Sequence, residues 1–230
     1  MLTGMARTGT ERPVPPRLPP ELPLEPHSRL RAGDVISGVT IRGDYAEAHL
    51  ENLVIEDAHI VRSSFTAADL RRLSLVDVVV EGCDFSGSDM EEASFMRVTF
   101  KDCRMSGARM PRTRLRDVTF SEIRLDDVNF RMSTGERVLF DHVHLVRGDF
   151  YSAHLQSTCF FDCDLTGIDV AKAKLPGSRF HGSVLLELKG GEYLRDVVID
   201  SSQVLPLAIG VFSGLHIRVE DDRDASNASP

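Results

Sequence analysis

From Tyr45 to Leu185 every fifth residue is apolar, with Gly135 the single exception. The column runs through Leu50, Ile55, Ile60 and Phe65 to Phe180 and Leu185, filling 28 of 29 places in a chain that is 42% apolar, so composition does not produce it. Two residues before each of these lies a second column, small or aliphatic and never charged: Ala48, Leu53, Ala58, Ser63, Ala68, Leu73 and onward to Ser183. An α-helix buries one face every 3.6 residues and a coiled coil every 3.5, so a strict five would wind around a helix and bury nothing. A strand alternates at two. A large residue with a small one two places earlier is therefore a three-residue strand with both ends inward, and the remaining two residues turn a corner. Four such sides close a coil of about 20 residues, and coils stack at the strand spacing of about 4.8 Å.

The corner residues agree with this register. Leu175-Pro176-Gly177-Ser178 puts proline and then glycine in the two outward places, the signature of a type II turn. Gly82, Gly87, Gly107, Gly167 and Gly182 hold the same second place, where a positive φ costs glycine little.

Runs such as CDFSG (Cys83 to Gly87), SDMEE, ADLRR and CDLTG resemble the pentapeptide-repeat family, whose unit reads roughly A(D/N)LXX. The resemblance implies an all-β fold, a right-handed quadrilateral parallel β-helix with large side chains stacked in four interior columns. One of these, read at every twentieth residue, holds Phe100, Phe120, Phe140, Phe160 and Phe180.

Four regions follow. Residues 1–33 are a proline-rich arm, extended or disordered because PVPPRLPPELPLEP has too many prolines for a helix or a paired strand, with Leu18, Leu22 and Leu24 able to fasten it to the first coils. Residues 34–200 are the β-helix, with Val35 and Ile41 closing its first end and a distorted side at Gly135. Phase is lost from Leu186 to Tyr193. Residues 201–219 supply a capping helix, roughly Ser202 to Ser213 with Gly214 as its C-cap, followed by a short strand from His216 to Val219. Residues 220–230 form a disordered acidic tail. The helix carries Val204, Leu205, Leu207, Ala208, Ile209, Val211 and Phe212, apolar nearly all round, so more than one of its faces should be covered. These seven are the candidate interaction surface, against the last coil and against a second copy of the chain in a homodimer.

The chemistry is sparse. No phosphate loop, nucleophile elbow or paired CxxC occurs, and an enzyme is not expected. Cys83, Cys103 and Cys163 fall in the small inward column and read as free core thiols rather than disulfide partners, while Cys159 points outward. His142 and His144 stack beside Asp162 and Asp164, which reads as a solvated polar ladder, and neither a metal nor a cofactor is expected. No apolar run reaches the about 18 residues of a membrane span and no apolar signal core is present, which predicts a soluble cytoplasmic protein.

Net charge is −8 and unevenly laid out. Residues 34–92 hold 13 acids against 4 basic residues, residues 93–137 hold 6 against 10. At twenty-residue spacing Asp77, Arg97, Asp117 and Arg137 alternate in sign in one outward column, Asp84 precedes Arg104, and Arg71 and Arg72 face Glu91 and Glu92. Such pairs specify register. The arginines of one coil point to different sides, so direct nucleic-acid binding is not expected. The expected function is a non-enzymatic protein-interaction or scaffold module with an unidentified protein partner. The family resemblance implies an alternative, a DNA mimic that modulates or protects a type II topoisomerase, DNA gyrase.

Overall fold

The computed structural model describes residues 12–24 and 30–218. Among the described residues nine parallel strands wind into the square β-helix: β1 (Val35–Ser37), β2 (Thr40–Ile41), β3 (Val54–Val61), β4 (Ser74–Glu81), β5 (Ser94–Lys101), β6 (Arg114–Ser121), β7 (Thr134–Asp141), β8 (His154–Gln156) and β9 (Cys159–Phe161). The eight-residue strands each cover two adjacent sides and the corner between them. Their register is the sequence period: Ile60 pairs with Val80, Val80 with Phe100, Phe100 with Phe120, Phe120 with Phe140 and Phe140 with Phe160. The other two sides are held by single bridges, from Asp44 to Ser64 to Asp84 on one and from His49 to Asp69 to Asp89 on the next.

The interior is a stack of side chains at the rise of the coil. Phe100, Phe120, Phe140, Phe160 and Phe180 lie face to face with centroids 5.1, 4.9, 4.8 and 4.9 Å apart. Phe130 and Phe150 meet that ladder edge-on, at 6.2 and 6.4 Å from Phe140. Polar members of the small column bond main-chain carbonyls of their own or the preceding coil: Ser88 Oγ donates to the carbonyl of Phe85 and Thr113 Oγ1 to that of Met110, each at 2.8 Å. Ser133 Oγ and Ser183 Oγ donate to Met110 and Phe160 one coil back, at 3.0 and 3.1 Å, while Thr158 Oγ1 has no partner among the described residues. All four cysteines are buried free thiols, and burial pushes the Cys163 thiol up to about 12.

At the corners the second outward residue is left-handed whether or not it is glycine. Glu47, Asn52, Arg62, Arg72 and Asp127 have φ between 47 and 61°, close to the 63–68° of Gly82, Gly87 and Gly107. The strain of an L-residue there is offset because its N–H, like that of the interior residue two places earlier, reaches the next coil: Asn52 to the carbonyl of Arg71 (2.9 Å), Arg62 to that of Glu81 (2.9 Å), Arg72 to that of Glu91 (2.8 Å). Glycine is therefore one solution among many at a place the ladder itself dictates.

Several expectations are corrected. The Gly135 side is a regular part of β7, paired with Leu115 and Leu155, and the missing side chain is replaced from above by Leu155, whose Cδ2 lies 2.8 Å from where a Cβ would stand. At the first end Ile41 is fully buried, but Val35 is exposed and the covering comes from Leu30, Ile36 and Val39. Where phase is lost, the last turn is one residue short: Arg179 pairs with Val198, nineteen residues on rather than twenty. The helix α1 spans Val204–Gly214, with Gly214 inside it and Leu215 as the C-cap; a 3-10 turn, Ser201–Gln203, precedes it. No strand follows at residues 216–218. The acidic tail, residues 1–11 and residues 25–29 lie outside the described residues, and among those described no helix is long and apolar enough to cross a membrane.

Candidate interaction surfaces

The cap at the last coil is built by one polar residue and one helix face. Asp200 caps the 3-10 turn by accepting from Ser202 N (3.0 Å), while Gln203 Oε1 accepts from Asp200 N (3.0 Å). The buried Gln203 amide then donates to the carbonyls of Ser183 (2.6 Å) and Phe180, acceptors that the end of a parallel stack leaves without a following coil. Beyond it α1 lies across the end with Gly210 inward, close enough that a Cβ there would stand 3.0 Å from the carbonyl oxygen of Leu188.

That close approach sorts the seven predicted surface residues. Leu207, Ala208 and Val211 are half-buried beside Gly210, whereas Val204, Leu205, Ile209 and Phe212 are exposed, Leu205 at 68% and Ile209 at 61%. Within one chain, then, a single face of α1 is covered and the opposite apolar stripe is open, continuing into Leu215 and Ile217.

A second surface was not visible from the periodicity. Residues 12–24 are extended and packed along the rod. Leu24 pairs with Thr40, whose N–H donates to the carbonyl of Pro23 at 2.8 Å. Farther along, Arg17 N donates to Asp77 Oδ1 and Val14 N to Asp117 Oδ1, both at 3.0 Å. Leu18 and Leu22 are half-buried as expected, while Leu24 is held by its backbone alone and its side chain is exposed. Asp77 and Asp117 are 7% and 5% exposed, although Arg72, Arg112 and Asp127, in the equivalent left-handed place at other corners, are exposed. Cys159 faces outward by register yet is buried, sharing a groove with Arg12 and Pro13, and burial raises its thiol pKa.

The charge ladders are real but run one way. Arg97 grips Asp77 and Arg137 grips Asp117, the latter with two bonds at 2.6 and 2.9 Å; Arg147 grips Asp127 with two at 2.7 Å. The guanidinium partner, opposed in part by burial, holds the Asp77 and Asp117 carboxyls below the usual range. Arg71 pairs with Glu51 and Asp69 rather than Glu91, Arg72 bonds Asn52 rather than Glu92, and Glu91 and Glu92 are taken by Arg112. In most of these pairs the long arginine reaches back one coil toward the shorter acid. Asp84 and Arg104 meet through a backbone bridge. His144 stacks on Asp164, while His142 bonds Asp141 (2.9 Å) and the ligand atoms of Asp141, His142 and Asp162 lie within 4.8 Å of one another, so the carboxylate that joins His142 and Asp162 is Asp141 rather than Asp164.

Residues 74–145 match the family profile described as pentapeptide repeat region. No curated protein matches the chain in sequence. Among solved structures, trypsin-treated QnrB1, a plasmid-mediated fluoroquinolone resistance protein, is 19% identical over 86% of this chain and 98% of its own, with a TM-score of 0.43. Full-length QnrB1 is 16% identical over 76% of this chain and 98% of its own, TM-score 0.37. HetL, a pentapeptide repeat protein involved in heterocyst differentiation regulation from the cyanobacterium Nostoc, is 16% identical over 71% and 86%, TM-score 0.28.

Proposed function

The chain is a pentapeptide-repeat protein, its family match carried by residues 74–145, and from that premise we propose that it works without catalysis, as a rigid protein-interaction scaffold that pairs with a second copy through α1. The open stripe of Val204, Leu205, Ile209 and Phe212 carries this reading. A rod end faced with apolar side chains is a hazard in water, and a two-fold contact covers it economically because one patch serves both subunits. The partner recognised by the assembled rod is a protein. The cytoplasm suits it, since four buried free thiols fit a reducing compartment. In light scattering the intact chain is expected at twice its monomer mass, and Ile209→Asp at the monomer mass with unchanged circular dichroism; a monomeric intact chain overturns the dimer.

A second reading, mimicry of DNA at a type II topoisomerase, is favoured by one feature. Asp69 stacks directly on Asp89, and Asp44, Ser64 and Asp84 line the adjoining side. The next places on those two ladders are Arg104 and Arg109, followed by Arg124 and Asn129, so the acidic strip ends early. A gyrase supercoiling assay separates the readings: inhibition at submicromolar protein promotes the mimic, and its absence favours the scaffold.

A further inference from the structure

The docked arm and the rod have commensurate repeats. A polyproline II strand advances about 3.1 Å per residue, so about 9.3 Å per three-residue turn, and two coils of a parallel stack rise about 9.6 Å. The two arm amides that meet carboxylates, Val14 and Arg17, are three residues apart, and their acceptors, Asp117 and Asp77, are forty residues apart, which is two coils. One turn of the arm therefore spans two coils. Pro15 and Pro16, which have no N–H to satisfy, fill the places between, and Pro13 and Pro16, three apart, are the half-buried pair.

The acceptors are fixed before any ligand arrives. Arg97 and Arg137 each hold both oxygens of their aspartate from the neighbouring coil, and Oδ1, which already accepts from the arginine Nε, takes the arm N–H as a second donor. Because the guanidinium groups balance the carboxylates, what the corner reads is main-chain N–H at three-residue spacing rather than a basic side chain. The track leads into a groove of about 640 Å³ in which Leu139, Cys159 and Phe161 supply apolar walls beside Arg12 and Pro13.

We propose that this corner is a docking track for polyproline II segments, that Asp77 and Asp117 are its reading residues, and that a proline-rich segment of a partner protein takes it in place of the chain's own arm. Residues 12–24 are the resident ligand and show the sequence it takes, a free N–H on either side of two prolines, as in Val14-Pro15-Pro16-Arg17. A second copy's arm is a poor competitor, because it offers only the bonds the resident arm already makes and lacks the advantage of a tether. A partner segment displaces the tethered arm where its side chains fit the walls of Leu139 and Phe161 better than Arg12 and Pro13 do.

The test uses the full chain with Val14→Pro and Arg17→Pro together. Both changes keep the arm in the polyproline II conformation and remove its two donors, and neither touches the core. A fluorescent peptide with the sequence of residues 12–24 is expected to bind this variant about tenfold more tightly than it binds the wild-type chain, whose arm competes in cis. Adding Asp77→Ala to the variant, or Asp117→Ala should that chain fail to fold, is expected to weaken the peptide about tenfold. Equal affinity for wild type and variant, no binding below about 1 mM peptide, or indifference to both aspartate changes would each overturn the track. A chain carrying Ile209→Asp that still dimerises, and becomes monomeric when Val14→Pro and Arg17→Pro are added, would assign the track to a second copy's arm and overturn the assignment to a partner protein.

Discussion

Phe140→Asp is expected to leave no cooperatively folded rod at room temperature. Phe140 is fully enclosed, stacked between Phe120 and Phe160 at 4.9 and 4.8 Å, with Phe130 and Phe150 edge-on. Removing a buried ring costs about 3–5 kcal/mol, and placing a carboxylate in the cavity, with only apolar rings around it, costs several more or forces its protonation. Against a total stability of about 5–15 kcal/mol, the sum reaches the whole. Repeat stacking sharpens the effect, because each coil contacts only its neighbours and a coil lost in the middle separates the two ends. Phe140→Leu, which keeps an apolar side chain but breaks the stack, is expected to cost about 1–2 kcal/mol. Circular dichroism during thermal melting reads both. A soluble Phe140→Asp chain melting at the wild-type temperature would refute the square register.

The fold was legible because one interior column is written in the sequence at an unusual period, and the twenty-residue pairing of Ile60, Val80, Phe100, Phe120 and Phe140 follows from it by arithmetic. What stayed hidden depends on contacts outside the column. The left-handed conformation of Glu47, Asn52 and Arg72 is imposed by a ladder hydrogen bond, and nothing in the identity of those residues announces it. The choice of Glu51 over Glu91 by Arg71 turns on which way a long side chain leans, while both acids stand one coil away in the register. Cys159 reads as exposed until the arm is laid beside it. Of the candidate surface, composition identified α1 as too apolar for a single contact. It could not divide the half-buried Leu207 and Val211 from the exposed Leu205 and Ile209, because that division is set by the close approach of Gly210 to Leu188. The arm's carboxylate contacts were missed although both ends were in view. The signal that finds them is the match between a three-residue repeat and two coils, together with two aspartates, Asp77 and Asp117, forty residues apart in one outward column.

Gly190→Ala is expected to lower stability by about 3 kcal/mol and to loosen the cap. By the period of five, residue 190 follows Leu185 in the interior column, but glycine stands there with φ of 74°. A positive φ alone is tolerated throughout this rod. Gly87, at 66°, has nothing within 4 Å of the point a Cβ would occupy, and Gly87→Ala is expected to cost no more than about 1 kcal/mol. Gly190 differs in what lies opposite. A Cβ there would stand 2.4 Å from the backbone N of Ala171 and 2.5 Å from its Cα, in the preceding coil, where no side-chain rotation relieves the clash. The chain after residue 190 must move instead. That chain includes the 3-10 turn Gly191–Tyr193, and Gly191 itself packs against Leu188 and Val211, so the displacement reaches α1. With α1 lifted, the carbonyls covered by Gln203 and the interior of the last coil meet water, and end-to-end association follows. Urea melts of the two alanine variants, read beside light scattering at rising protein concentration, check this: a Gly190→Ala midpoint equal to that of Gly87→Ala, with no added association, would mean the last coil does not close on Ala171 in solution.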